Sequence, residues 1–265
     1  LKAALTESVI VNTGKAVAPF TGGKMIIAQI SDIHAAADND NLQRLERALA
    51  WLATLAPDAL VLTGDLADNR HCGHDLLATC LNAVPWPLFI LPGNADNRDR
   101  LRATWPERFA DKRPALHFTA DIGGIRLIGL NSTLENSDAG SVAAHLGWLD
   151  QALNASPALP SILFLHHHLF LCGIPGIDNS ICHDRRQLET LLRNSMRPPL
   201  AIACGHVHRP MMSLFAGIPA YVCGSVCAAN PLWFGADTVP PVNDPVYLLI
   251  HRFNDGELVS YHVAV

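Results

Sequence analysis

Five short apolar segments, each of strand length, run directly into residues able to bind a metal, and this pattern constrains the chain most. Ser31-Asp32-Ile33-His34 follows Met25 to Ile30, Gly64-Asp65 follows Ala59 to Leu62, and Gly93-Asn94 follows Leu88 to Leu91. Farther along, His166-His167-His168 follows Ile162 to Leu165, and Gly205-His206-Val207-His208 follows Leu200 to Ala203 and Cys204. After the first segment Leu42, Leu45, Leu49, Leu52 and Ala56 recur at helical spacing, which predicts an amphipathic helix. Further helices are predicted over Asp75 to Ala83, Leu146 to Leu153 and Arg185 to Leu192. Strand-helix-strand alternation with short connections calls for parallel pairing through right-handed crossovers. Ligands collect at the carboxyl ends of strands in open α/β sheets, so five such ends are expected to meet in one crevice.

The remaining text reads as hairpins. Ala115 to Thr119 and Ile125 to Leu130 flank Gly123-Gly124. Met211 to Phe215, Pro219 to Cys223, Val246 to Phe253 and Leu258 to Val263 predict a β-rich end, with a turn at Asn254-Asp255-Gly256. Parallel units followed by hairpins predict an α/β fold of two packed mixed sheets with helices outside. Residues 1–24 read as an N-terminal extension, native or appended, in which Val9-Ile10-Val11 could add a short strand and Thr21 to Lys24 forms a linker. One domain is expected over 25–265.

Composition narrows the function. With 265 residues, 49% of them hydrophobic, the chain can bury a sizeable core. A net charge of −5 with no Lys/Arg block argues against a nucleic-acid polymer or an acidic membrane as partner. No apolar run approaches the ~20 residues that span a bilayer. Seven cysteines, an odd number without a CxxC pair, suggest free thiols and a cytoplasmic location.

Thirteen histidines stand out, and those at the strand ends fit a metal site. Imidazole and carboxylate donors suit zinc, iron or manganese. The candidate ligands are Asp32, His34, Asp65, Asn94, His166, His206 and His208, more than the three or four that a single zinc needs. Two ions sharing one carboxylate would use them all, and Asp65, behind the turn-forming Gly64, is the natural bridge. The side chains of His206 and His208, two apart at a strand end, point the same way.

These motifs, in this order, resemble the calcineurin-like metallophosphoesterases over nearly all of Met25 to Val263: Asp-x-His, Gly-Asp-x-x-Asp, Gly-Asn-x-Asp, a histidine-rich strand end and Gly-His-x-His. Within that group the chain looks most like class III cyclic nucleotide phosphodiesterases and bacterial glycerophosphodiesterases. The text that carries this is Gly64 to Asn69, Asn94 to Leu101, Trp148 to Leu153 and His166 to His168. The resemblance implies a four-layer αββα sandwich. It implies one ion held by Asp32, His34, Asp65 and His208, and another by Asp65, Asn94, His166 and His206. Continuing the strand into the site favours His166, with His167 as the alternative, because the family's His-His-Pro-Pro reads His166-His167-His168-Leu169 here.

The implied chemistry is hydrolysis of a small phosphodiester, a cyclic nucleotide or a glycerophosphodiester, by a hydroxide between two metals roughly 3.5–4 Å apart. A phosphomonoesterase, a nucleotide pyrophosphatase and a metal-binding protein that has lost catalysis are the alternatives. A homodimer stays open. The last alternative arises at Ala95, where the family normally places a histidine that assists the leaving group. His71, His74, His167 and His168 are the candidate substitute acids, and Asp68 and Asp96 are expected to orient ligands from behind. Substrate-selecting loops are expected over Asn69 to His74, Leu169 to His183 and Ala228 to Asp244.

Overall fold

A computed structural model describes residues 24–68, 73–109, 115–155 and 159–265. Residues 1–23, with the expected strand at Val9-Ile10-Val11, and His71 lie outside these residues.

The first sheet begins with β1 (Met25–Ile30), β2 (Ala59–Thr63) and β3 (Leu88–Leu91), which pair in parallel. Helix α1 (Asn41–Leu55) connects β1 to β2, and α2 (Gly73–Asn82) connects β2 to β3. The C-terminal hairpin of β10 (Tyr247–Asn254) and β11 (Glu257–Ala264) completes this sheet, with β10 antiparallel to β1. Its turn is at Asp255 and Gly256, both at positive φ, the conformation that two-residue hairpins require.

The second sheet has the order β4-β5-β6-β7-β9-β8. Its strands are β4 (Phe118–Ile122), β5 (Ile125–Gly129), β6 (Ser161–Phe164), β7 (Ala201–Cys204), β8 (Met211–Phe215) and β9 (Ile218–Val222). Strands β5, β6, β7 and β9 run parallel, and the β4–β5 and β8–β9 hairpins close the two edges. Helix α4 (Leu146–Asn154) connects β5 to β6. The one-turn α5 (Pro175–Asp178) and then α6 (Arg185–Asn194) connect β6 to β7.

Three apolar layers hold the sandwich together. Leu45, Ala48 and Leu52 of α1 and Leu77 and Leu81 of α2 pack on one face of the first sheet. Ile27, Val61, Phe89, Leu127, Phe164 and Leu249 fill the space between the sheets. Leu149 and Leu153 of α4 and Leu188 and Leu192 of α6 cover the far face of the second sheet. The order is therefore helices, sheet, sheet, helices, the expected four-layer αββα sandwich. Strands buried on both faces explain why β1, β2, β6 and β7 read as apolar runs without alternation.

Two elements carried no helical periodicity in the sequence. One is α3 (Arg98–Thr104), a polar helix whose single buried side chain is Leu101 and whose start is capped by Asn97 accepting from the Arg100 amide. The other is α5. Strand β4 also starts later than expected, at Phe118, because Leu116 sits at φ 53 and cannot continue a strand. No helix among the described residues is long and apolar enough to cross a membrane.

Candidate metal centre

The carboxyl ends of β1, β2 and β3 from one sheet and of β6 and β7 from the other meet at one end of the sandwich. Backbone bonds hold these loops together. Asp32 donates its amide to Gly64 O at 3.0 Å, His34 to Asp65 O at 2.9 Å, and Gly205 to His166 O at 2.9 Å. The Asp32 carboxylate accepts the His206 amide at 2.9 Å. Five of the seven candidate ligands, Asp32, His34, Asp65, His206 and His208, have positive φ between 47° and 71°. Such strain costs of order 1–3 kcal/mol per residue and persists where the surroundings over-determine it, commonly at active sites. Gly64, at φ 96, permits the approach to β3: a Cβ there would lie 2.5 Å from Gly93 N.

All seven expected residues come together, in two adjoining groups. The donor atoms of Asp32, His34, Asp65 and His208 all lie within 4.8 Å of one another. In the other group His166 Nε2 lies 3.0 Å from Asn94 Oδ1, 3.2 Å from His206 Nδ1 and 3.5 Å from Asp65 Oδ1. Asp65 belongs to both, because its Oδ2 is 3.4 Å from His34 Nε2. Asp32, Asp65, His166 and His206 are buried.

Each of the four imidazoles is oriented by an outer partner that leaves one nitrogen facing inward. His34 Nδ1 lies 3.0 Å from Asp68 Oδ1, and His166 Nδ1 lies 2.7 Å from Thr63 O. His206 Nε2 lies 2.8 Å from Ser180 Oγ, and His208 Nδ1 lies 3.3 Å from Cys227 Sγ. An acceptor on one nitrogen fixes the tautomer and bares the lone pair of the other, the usual arrangement of metal-binding histidines. His34 Nε2 is buried without a hydrogen bond. A tetrahedral ion at about 2.0–2.2 Å from each donor would set those donors roughly 3.3–3.6 Å apart. The 3.4 and 3.5 Å separations fit that spacing, so the donor set suits divalent metal ions.

Charge balance follows the same grouping. Burial alone would lower His34 and His208, but contact with Asp65 and Asp32 respectively outweighs it and raises them to about 10 and about 11. His166 rises to about 9 against the same burial, through Asp65. Burial opposes ionisation of Asp65, yet His166 and His34 hold its carboxyl well below the usual range. His206 falls to about 3 through burial and then the neighbouring His166.

The other expected residues lie around this centre. Asp96 accepts the amides of Leu66, Ala67 and Gly93, so it holds the loops rather than an imidazole of the centre. His74, also buried, faces Asp96 Oδ1 at 3.3 Å. His167 is fully buried with its Nδ1 against Ser132 Oγ and its Nε2 against Asp138 O. His168 is buried and stacks on His206 with ring centroids 5.5 Å apart. Ala95 donates its amide to Asp65 Oδ1 at 2.7 Å.

Sequence reasoning missed Ser180 and Cys227, having placed no cysteine in the set. Cys227 lies beyond the end of β9, farther from its strand than the predicted ligands lie from theirs, so only the folded chain places it beside His208.

A two-sheet α/β sandwich with an aspartate- and histidine-rich centre at its strand ends defines a class of metal-dependent phosphoester hydrolases. The calcineurin-like phosphoesterase model matches residues 25–210, and the chain belongs to that family. It is 29% identical to a probable glycerophosphodiester phosphodiesterase of Arcobacter nitrofigilis, over 91% of this chain and 93% of that protein. It is 30% identical to a cAMP/cGMP dual specificity phosphodiesterase of Mycobacterium tuberculosis, over 80% of this chain and 70% of that protein. A dimetal phosphatase from Danio rerio shares the fold at a TM-score of 0.65 and 14% identity, covering 91% of this chain and 98% of that one.

Proposed function

We propose that this protein is a dinuclear metal-dependent phosphodiesterase acting on a small phosphodiester, a cyclic nucleotide or a glycerophosphodiester. The observation that carries the reading is Asp65, whose two oxygens face His34 on one side and His166 on the other. Asp32, His34, Asp65 and His208 would hold one ion, and Asp65, Asn94, His166 and His206 the other. Manganese, iron and zinc all suit these donors. Two such ions would lower the pKa of water toward neutrality and would stabilise negative charge on the phosphoryl oxygens.

The protein's own groups orient this chemistry. Asp68, Thr63 O, Ser180 and Cys227 fix the four imidazoles, so little reorganisation is needed at the reacting phosphorus. The Ala95 amide steadies the Asp65 carboxylate, while its methyl group supplies no proton to a departing alkoxide. His74, His167 and His168, the candidate substitute acids, are buried, and a donor atom of His167 lies within 4.8 Å of those of His166 and His206. The relatives named as phosphodiesterases for glycerophosphodiesters and cyclic nucleotides support the substrate class.

The test is reconstitution of the purified chain with manganese. About two ions per chain are expected, with hydrolysis of bis(p-nitrophenyl) phosphate that chelation abolishes. A cyclic nucleotide and a glycerophosphodiester, compared at equal concentration, then assign the substrate. One bound ion, or monoester hydrolysis without diester hydrolysis, overturns the reading.

A further inference from the structure

A second cluster of metal-binding side chains lies behind His206, in the connection from β6 to α5. His168 comes from the end of β6, Cys172 from the following loop and Asp178 from α5, and their donor atoms all lie within 4.8 Å of one another. The Asp178 carboxylate accepts the amides of Cys172 at 2.7 Å and Gly173 at 3.0 Å, which fixes the loop around it. A carboxylate with these two bonds still has lone pairs to offer. His168 is fully buried, and neither of its nitrogens makes a hydrogen bond. Its Nε2 points to Asp178 Oδ1 at 3.8 Å, too long for a hydrogen bond but close to the spacing of two donors on one ion.

As a wall for His206, an apolar ring would serve as well as His168. A buried imidazole left unpaired pays a desolvation cost at each unsatisfied nitrogen, a cost that such a ring avoids. Bonding to an ion would remove it. We propose that His168, Cys172 and Asp178 form a third cation site, separate from the two groups around Asp65, that takes a divalent ion of the zinc class. One nitrogen, one sulfur and one oxygen donor suit zinc and cobalt and disfavour manganese. Binding deprotonates the Cys172 thiol and releases that proton to solvent. Three protein donors leave a fourth position, on the side where the Asp178 side chain is 20% exposed. The ion would tie the loop that carries Ser180 onto the end of β6, and thereby hold Ser180 against His206.

The experiment is a cobalt titration of the whole chain after chelation. The expected result is a near-ultraviolet sulfur-to-cobalt charge-transfer band and about one more cobalt per chain than the manganese content. Cys172→Ala should lose the band and that equivalent, whereas Cys227→Ala, which removes the thiol beside His208, should keep the band. His168→Phe retains ring volume against His206 and should lose the same equivalent, so the assignment does not depend on one variant folding. Absence of the band from the unmodified protein overturns the proposal, and so does a band that survives in Cys172→Ala or disappears in Cys227→Ala. The manganese count reads the Asp65 centre independently, so failure of either site is distinguishable from failure of the other.

Discussion

His251 ties the stability of the sandwich to pH. It lies on β10 between the two sheets, fully buried, its ring edge-on to Phe164 with centroids 5.7 Å apart and its Nδ1 2.8 Å from Ser260 Oγ. Burial, and then the nearby His262, push its imidazole down to about 3. In the unfolded chain the same group titrates near 6.5. Because the folded pKa is the lower one, the unfolded state takes up a proton that the folded state refuses once the pH falls below about 6.5. The neutral ring's contribution is complete above that pH and is lost progressively from 6.5 toward 3. The slope is about 1.4 kcal/mol per pH unit, so acidification from about 6.5 to about 4.5 removes up to roughly 3 kcal/mol through this residue. His251→Gln keeps hydrogen-bonding capacity toward Ser260 and does not titrate. Urea unfolding of the chelated protein at a series of pH values should give the variant a shallower loss of stability with acid, by about one proton, whatever its stability at pH 7. Parallel pH profiles for the two proteins would show that His251 does not carry this pH dependence.

Three further outcomes are expected. Asp65→Asn retains the volume of the shared side chain and removes its charge, so it should lose both manganese ions, whereas His208→Ala should lose mainly one; metal analysis after gel filtration distinguishes them, and an Asp65→Asn protein with both ions would exclude the bridge. Ala95→His should speed hydrolysis of alkyl diesters more than that of p-nitrophenyl diesters, by up to about 10²-fold, and a flat dependence of the unmodified protein's rate on leaving-group pKa would remove the reason for the gain. Gly64→Ala places a Cβ 2.5 Å from Gly93 N at a φ of +96°, so it should destabilise the fold by more than about 1–3 kcal/mol, read from the urea midpoint.

The strand ends and the donor types are legible in the amino-acid text alone. An apolar run such as Ala59–Thr63 and the helical spacing of Leu45 and Leu52 are local patterns, and they fix which residues can be strand, helix and core. Because ligands gather at strand ends, the same text placed Asp32, His34, Asp65, Asn94, His166, His206 and His208 in one crevice. The polar α3 and the one-turn α5 escaped notice because neither buries an apolar stripe. Which strands share a sheet is settled only in the folded chain: β10 pairs with β1 although Met25 and its partner Phe253 are far apart in sequence. Tertiary structure alone decided which nitrogen of each imidazole faces inward, since the outer partners are remote in sequence. Thr63 is 103 residues from His166, and Ser180 is 26 from His206. It also gathered His168, Cys172 and Asp178, whose spacing along the chain matches no metal motif. Side-chain chemistry is written residue by residue, but the direction in which a lone pair points is set by packing between segments that only the folded chain brings together.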